Sequence, residues 1–95
     1  SILYSSWGYE QTNIEFYKVI KRTKSTVTIV RLSEDIVEHN PQYMSGYTSA
    51  GEEVVGEPIK SKRITSRGGY ESIKLSDYKR AYPWDGTRKY FSYYG

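Results

Sequence analysis

Two stretches near the start of the chain alternate between the two sides of an extended backbone. Apolar side chains occur on both sides of residues 14–22 and again of residues 26–32, and β-branched residues are frequent in both. The polar residues Thr23-Lys24-Ser25 separate the two stretches. Period-two spacing with short polar connections is typical of antiparallel strands. The pattern therefore predicts a β-hairpin over residues 14–32 with both faces partly covered.

Strand-like composition continues along the chain, interrupted by turn residues. Further strands are predicted for residues 2–7, 53–66, 70–75 and 87–94, with a bend near Gly56. Ser76-Asp77-Tyr78-Lys79 predicts one helical or 3₁₀ turn, because Ser and Asp satisfy free amide groups at a helix start. No segment has the length and period of an ordinary helix. These features predict an all-β fold: a small SH3-like barrel of five or six antiparallel strands, which also removes exposed sheet edges.

Residues 33–53 have a different composition. They hold few aliphatic side chains, several acidic ones and the pairs Asn40-Pro41, Ser45-Gly46 and Ala50-Gly51. Such clusters mark loops. We therefore expect residues 1–95 to form a single domain with a long acidic loop at about 33–53. The chain starts at Ser1, directly before strand-like residues, and we expect native residues of the first strand to precede it.

The composition excludes several kinds of chemistry. There is no cysteine, so disulfides, thiol catalysis and Cys-ligated zinc are excluded, and the single His39 cannot build a multi-histidine metal site. No phosphate-binding glycine loop and no EF-hand spacing occurs. No apolar run is long enough to span a bilayer. We therefore predict a non-enzymatic protein with no cofactor, no metal and no membrane contact.

Charge is distributed unevenly along the chain. Residues 1–57 carry five Lys/Arg and eight Asp/Glu, a net charge of −3, whereas residues 58–95 carry nine and three, a net charge of +6. In the second part basic residues are interleaved with tyrosines, as in small β barrels that bind single strands. The alternative is that the basic side chains are merely solvated and the aromatic ones fill the core. The candidate nucleic-acid-binding residues are Lys62, Arg63, Arg67, Tyr70, Lys79, Arg80 and Arg88.

A second candidate surface begins at Trp7. Aromatic and amide side chains are frequent in protein-recognition surfaces, and clustered carboxylates can mimic the phosphates of a nucleic acid. Trp7 and its neighbours equally suit a turn in which polar side chains bond their own backbone. The candidate protein-interaction residues are Trp7, Tyr9, Glu10, Gln11, Asn13, Glu52, Glu53 and Glu57.

The segment Tyr4-Ser5-Ser6-Trp7-Gly8-Tyr9-Glu10-Gln11-Thr12-Asn13-Ile14-Glu15-Phe16-Tyr17 resembles a motif of small uncharacterised proteins of bacteriophages and mobile elements. The ending from Trp84-Asp85-Gly86 to residue 95 is similar to theirs. The resemblance implies a bacterial cytoplasmic setting and no known activity. We therefore predict a binding module that modulates a host or phage protein, for example an anti-defence inhibitor such as an anti-CRISPR. The alternative function is a small nucleic-acid-binding accessory protein.

Overall fold

The computed structural model describes residues 1–93, and only the backbone of Ser61. About three quarters of the described residues lie in strands, so the predicted all-β class is confirmed. One 3₁₀ turn, Pro41–Tyr43, is present. The strands are β1 (Ile2–Trp7), β2 (Asn13–Arg22), β3 (Thr26–Asn40), β4 (Ser45–Arg67), β5 (Tyr70–Ser76), β6 (Lys79–Pro83) and β7 (Lys89–Ser92). The predicted last strand extended to Tyr94, which lies outside the described residues.

Six strands close into a ring of hydrogen bonds. Each of β1 to β6 pairs antiparallel with its neighbour in sequence, and β6 returns to pair with β1 through Tyr4 and Tyr82. β7 lies outside this ring and pairs with residues 45–48 at the start of β4. The result is the closed small barrel that the sequence predicts, with a seventh strand added to one side.

The barrel interior is built from alternate residues of the strands. Leu3 of β1 faces Tyr17 of β2, and Ile73 of β5 faces Ala81 of β6; all four are buried. Side chains of directly opposed residues point to the same side of a sheet. The inner cluster consists of Leu3, Tyr17, Val27, Ile29, Ile73 and Ala81.

A second cluster forms on the outside of the barrel. Ile14, Phe16 and Leu32 are buried although they point away from the inner cluster. The chain after β6 covers them, and Trp84 packs edge-on against Phe16 with ring centroids 5.3 Å apart. The Trp84 Nε1–H donates to the carbonyl of Thr87 at 2.8 Å. The prediction that the hairpin of β2 and β3 is covered on both faces is therefore confirmed.

The predicted acidic loop at residues 33–53 is wrong. β3 continues to Asn40 and β4 starts at Ser45, so the segment forms a long hairpin around the 3₁₀ turn. Pairing supplies the backbone hydrogen bonds that a loop would have to find elsewhere, and this tertiary pairing overrides the low β propensity of acidic residues. Ile36 opposite Thr48 is one rung of this ladder.

The helical turn predicted at residues 76–79 is also wrong. Asp77 and Tyr78 form a tight turn that joins β5 to β6, and Ser76 pairs directly with Lys79. The polar residues there close a hairpin instead of capping a helix. A tight turn at Gly68-Gly69 joins β4 to β5, and both glycines have positive φ, +55° and +84°. Consecutive positive φ values are those of the turn that best joins twisted antiparallel strands.

Candidate functional site

The outer side of β4, β5 and β6 gathers basic and aromatic side chains. Ile64, Ile73 and Ala81 occupy matched positions of the three strands and point inward. The residues next to them in each strand therefore point outward. We call this surface the basic-aromatic face; its members are Arg63, Thr65 and Arg67 of β4, Tyr70, Ser72 and Lys74 of β5, and Arg80 and Tyr82 of β6.

Part of this face is a concavity with a fixed guanidinium. The Nε–H and Nη2–H groups of Arg80 both donate to the Ser72 hydroxyl, at 3.2 and 3.0 Å. Tyr70 stays 78% exposed and Tyr82 42% exposed, so both rings are accessible to a ligand. The concavity is lined by Thr65, Arg67, Tyr70, Ser72, Arg80 and Tyr82.

Aromatic rings extend the face onto β1. A second cleft is lined by Tyr4 together with Tyr70 and Tyr82, so the two clefts share two tyrosines. The rings of Tyr4 and Tyr82 are 6.2 Å apart. The Lys89 ammonium lies 4.5 Å above the Tyr4 ring centroid, within the range of a cation–π contact. The tyrosines therefore form a row from β5 to β1 that has cations beside it.

The carboxylates nearest this face are already partnered. Glu71 bonds Arg22 at 2.8 Å, and Asp77 lies 3.5 Å from Lys74. None of the eight residues of the basic-aromatic face is acidic. The surface can therefore bind an anion through its guanidinium groups and stack planar groups on its tyrosines.

The structure separates the residues predicted for nucleic-acid binding into two sets. Arg63, Arg67, Tyr70 and Arg80 lie on the basic-aromatic face. Sequence reasoning left Tyr4, Ser72 and Tyr82 out of this set, although their alternation with inward-facing residues is a signal that could have found Ser72 and Tyr82. The other three predicted residues, Lys62, Lys79 and Arg88, lie elsewhere.

Each of these three residues has its own neighbours. Lys62 faces Val27 in the β3–β4 ladder, on the other side of β4 from Arg63. Arg88 lies on the β3–β4 hairpin, 3.4 Å from a Glu38 oxygen and 4.3 Å above the ring centroid of Tyr47. These contacts hold Lys62 and Arg88 away from the shared surface.

Lys79 belongs to a buried ionic cluster. Its Nζ lies 2.6 Å from Glu15 Oε1, which also accepts a hydrogen bond from the Tyr17 hydroxyl at 2.7 Å. Arg31 approaches the other oxygen at 3.1 Å. Burial raises the pKa of Glu15, but the hydrogen bonds from Lys79 and Tyr17 and the charges of Arg31 and Lys79 outweigh it, so this pKa lies below its ordinary value. Burial, with the bond to the Glu15 carboxylate, raises the pKa of Tyr17.

The residues predicted around Trp7 form a turn with internal bonds. Trp7 packs on Tyr78, with ring centroids 5.5 Å apart, and under the Lys79 ammonium. The Gln11 amide donates to Asn13 Oδ1 and the Asn13 amide donates to the Trp7 carbonyl, each at 3.3 Å. These bonds match the turn-supporting interpretation. Two predicted residues of this set, Tyr9 and Glu10, are exposed.

Three of the four predicted carboxylates, Glu52, Glu53 and Glu57, lie on β4. Glu52 and Glu53 line one concavity with Glu34 and Asp35 of β3. Glu57 is exposed on β4 beyond Gly56 and does not line it. The structure thus brings two of the four predicted carboxylates together and adds two from β3.

The described residues offer no metal site: within residues 1–93, no group of three or more His, Cys, Asp or Glu side chains is placed to hold an ion. His39 is exposed, and its Nε2 is hydrogen-bonded to the Tyr93 hydroxyl at 2.8 Å. The same part of the chain contains no helix long and apolar enough to cross a membrane. In comparisons with known proteins, no protein-family model, no curated protein and no solved structure matches this chain.

Proposed function

We propose that this protein binds single-stranded nucleic acid on its basic-aromatic face. The observation that supports the proposal is one open concavity in which Arg67 and Arg80 alternate with Tyr70 and Tyr82. Unpaired bases stack on tyrosine rings, and guanidinium groups bond the phosphates between them. The sequence predicts nucleic-acid binding as the alternative to a protein-binding module.

The fixed orientation of the Arg80 side chain supports an anion-binding site. Its two bonds to Ser72 hold the guanidinium in one orientation before any ligand arrives. Less side-chain entropy is then lost on binding. The remaining N–H groups of the guanidinium stay free to bond phosphate oxygens.

Single strands fit this surface better than a duplex. The accessible faces of Tyr70 and Tyr82 are useful only to bases that are not already stacked and paired. Stacking contributes about 1–3 kcal/mol per base and tolerates any sequence, because every base has a π face. Binding is therefore expected to be salt-dependent and weakly sequence-specific.

The test is fluorescence anisotropy with labelled twelve-nucleotide oligo(dT) and oligo(rU) at several salt concentrations. Tyr70→Ala and Tyr82→Ala are each expected to weaken binding about 5- to 150-fold, the equivalent of one lost stack. Arg67→Gln is expected to reduce the slope of log affinity against log salt by about one. Wild-type protein that does not bind either oligonucleotide at low salt and micromolar concentration contradicts the proposal.

Matched controls keep the test specific. Tyr43→Ala removes a tyrosine that is 74% exposed, close to the exposure of Tyr70. Tyr43 lies in the 3₁₀ turn between β3 and β4, away from the basic-aromatic face. Lys21→Gln removes an exposed charge from β2. Neither variant is expected to change stacking on the basic-aromatic face. A loss as large as that of Tyr70→Ala in both controls would mean nonspecific attraction.

A second candidate function is a module that inhibits or modulates a host or phage protein, as predicted from the phage resemblance. The observation that favours it is the concavity lined by Glu34, Asp35, Glu52 and Glu53. Once a partner is captured, the double variant Glu52→Gln/Glu53→Gln is expected to bind it more weakly. Glu57→Gln, outside the concavity, is the control, and equal affinity of both variants rejects the acidic surface.

A further inference from the structure

The second half of β3 is an open sheet edge. The β2–β3 ladder ends at the pair Phe16 and Leu32, whereas β3 continues to Asn40. Among residues 1–93, β4 is the only strand that pairs with residues 33–40. Alternate N–H and C=O groups of this stretch therefore point away from the sheet. We call residues 33–40 the acidic edge.

Charge decides what can pair with this edge. Glu34 and Asp35 are exposed along it, and Glu52 and Glu53 lie on the neighbouring strand. Glu38 is also exposed but is paired with Arg88 at 3.4 Å, so the unpaired negative charge lies toward residues 34 and 35. A second copy placed edge to edge would bring like charges opposite one another, which is destabilising. A nucleic acid would be repelled in the same way. A basic strand is the occupant whose charge complements the edge.

Apolar side chains add contact area along the edge. Ile36 is 57% exposed and Val37 is 53% exposed, although both are β-branched residues in a strand. A docked strand therefore finds two exposed apolar side chains beside the carboxylates, which fits a partner that carries β-branched residues as well as basic ones.

This protein's own basic strand cannot fill that role in a second copy. The basic residues of β4 already pair within the barrel: Lys62 and Arg63 with β3, and Arg67 with β5. The β4 strand of a second copy is therefore not free to pair with the acidic edge.

We propose that the acidic edge binds an extended basic segment of another protein, which adds as a strand beside β3. This inference rests on the second candidate function and names the chemistry of its partner. Main-chain hydrogen bonds to the edge supply affinity, and alternate side chains supply specificity. The β3–β4 ladder shifts register at Ser33 and again at Val37. These shifts interrupt the regular edge, so the docked strand is short and its affinity is modest.

The test is a titration of ¹⁵N-labelled protein, followed by amide chemical shifts, with an eight-residue peptide of alternating lysine and valine. We expect shifts concentrated in residues 33–40. The same peptide with alternate N-methylated amides loses the outward bonds and is expected to bind at least tenfold more weakly. A glutamate–valine peptide is expected to cause no shifts there.

Two protein variants complete the test. Asp35→Lys reverses a charge on the edge and is expected to weaken the lysine–valine peptide about fivefold. Asp77→Lys makes the same change at an exposed turn of the barrel and is expected to have no effect.

Three outcomes would overturn the inference. They are no shift in residues 33–40 at millimolar peptide, equal binding of the N-methylated peptide, and concentration-dependent shifts of these residues without peptide, which would indicate a second copy. If the N-methylated peptide binds equally but Glu52→Gln/Glu53→Gln weakens a captured partner, the strand-addition inference fails while the second candidate function stands.

Discussion

Replacing Glu15 by Gln tests whether the ionic cluster inside the barrel stabilises the fold. Within residues 1–93, the carboxylate is the only anion in contact with Lys79, whose side chain is 18% exposed and whose ammonium lies over the Trp7 ring. Gln keeps the size of the side chain and one oxygen that accepts hydrogen bonds. The substitution therefore removes the negative charge and leaves a largely buried ammonium without compensation.

The expected loss of stability follows from the burial of the Glu15 and Lys79 side chains. Removing one partner of a buried ion pair destabilises by about 3–5 kcal/mol. The retained oxygen and the half-exposed side chain of Arg31 reduce this figure, since an exposed charge is screened by water. We expect Glu15→Gln to lower the free energy of unfolding by about 2–3 kcal/mol. For a domain of this size that corresponds to a fall in Tm of about 10–20 °C.

Urea unfolding at pH 7 and at lower pH measures the effect. Trp7 packs against Tyr78 and the Lys79 ammonium, and Trp84 packs against Phe16 of the outer cluster, so tryptophan fluorescence reports on the ionic cluster and on the outer cluster. Because the folded pKa of Glu15 is below its ordinary value of 4.5, the stabilisation is fully present above that pH. It is lost as the pH falls through the folded pKa. Glu15→Gln is therefore expected to show a weaker pH dependence in this window.

A matched pair of variants separates the charge effect from general damage. Glu71→Gln breaks the exposed ion pair with Arg22 and is expected to cost less than about 1 kcal/mol. Glu15→Met combined with Lys79→Met removes both charges and is expected to recover part of the loss. If Glu15→Gln changes the free energy of unfolding by less than about 0.5 kcal/mol, the reasoning about the buried cluster is refuted.

Three further predictions concern packing and one exposed carboxylate. Phe16→Ala empties the centre of the outer cluster and is expected to destabilise by about 3–5 kcal/mol in urea unfolding; a loss below 1 kcal/mol would mean that this cluster is not a core. Gly46→Ala forces a Cβ against the backbone carbonyl oxygen of Glu38 and to 2.8 Å from the Phe91 ring, and is expected to destabilise by about 1–3 kcal/mol, detectable as a lower Tm. Hydrogen bonds from Thr87 lower the pKa of Asp85 to about 2, so Thr87→Val is expected to raise the midpoint of the Asp85 titration by NMR, and an unchanged midpoint contradicts this cause.

The sequence predicts the hairpin of β2 and β3 because alternation there is local and strong. The prediction from sequence is wrong for residues 33–53, where two glycines indicate a loop. Gly46 and Gly51 instead lie in β4 where another part of the same chain passes closely: an added Cβ would meet Glu38 and Phe91 at Gly46 and Ser33 at Gly51. Glycine in a strand often marks such a close approach. This approach depends on contacts between distant parts of the chain, which local composition does not reveal.

The candidate site shows the same division between local and long-range information. Arg67, Tyr70 and Arg80 could be predicted because the interleaving of basic residues with tyrosines is visible in the local sequence. The sequence could not predict that Lys79 pairs with the Glu15 carboxylate instead of joining the basic-aromatic face. This pairing depends on β6 returning to β1 and on the register of β1 against β2. Spacing within one strand assigns a face, but the barrel closure decides which face is inside.

The longest strand connects the two candidate surfaces. β4 carries Glu52 and Glu53 before Gly56, whose φ is +83°, and Arg63 and Arg67 after it. A bound single strand is attracted to the second part of β4 and repelled by the first. It should therefore cross from β4 over β5 and β6 toward Tyr4, because that direction adds the rings of Tyr82 and Tyr4, with Lys89 over Tyr4 already paired with Asp85, whereas the direction along β4 adds Glu53 and Glu52. Under the two proposals, a nucleic acid and a basic protein segment occupy separate parts of the surface and are expected to bind without competing, which a titration of either ligand in the presence of the other measures.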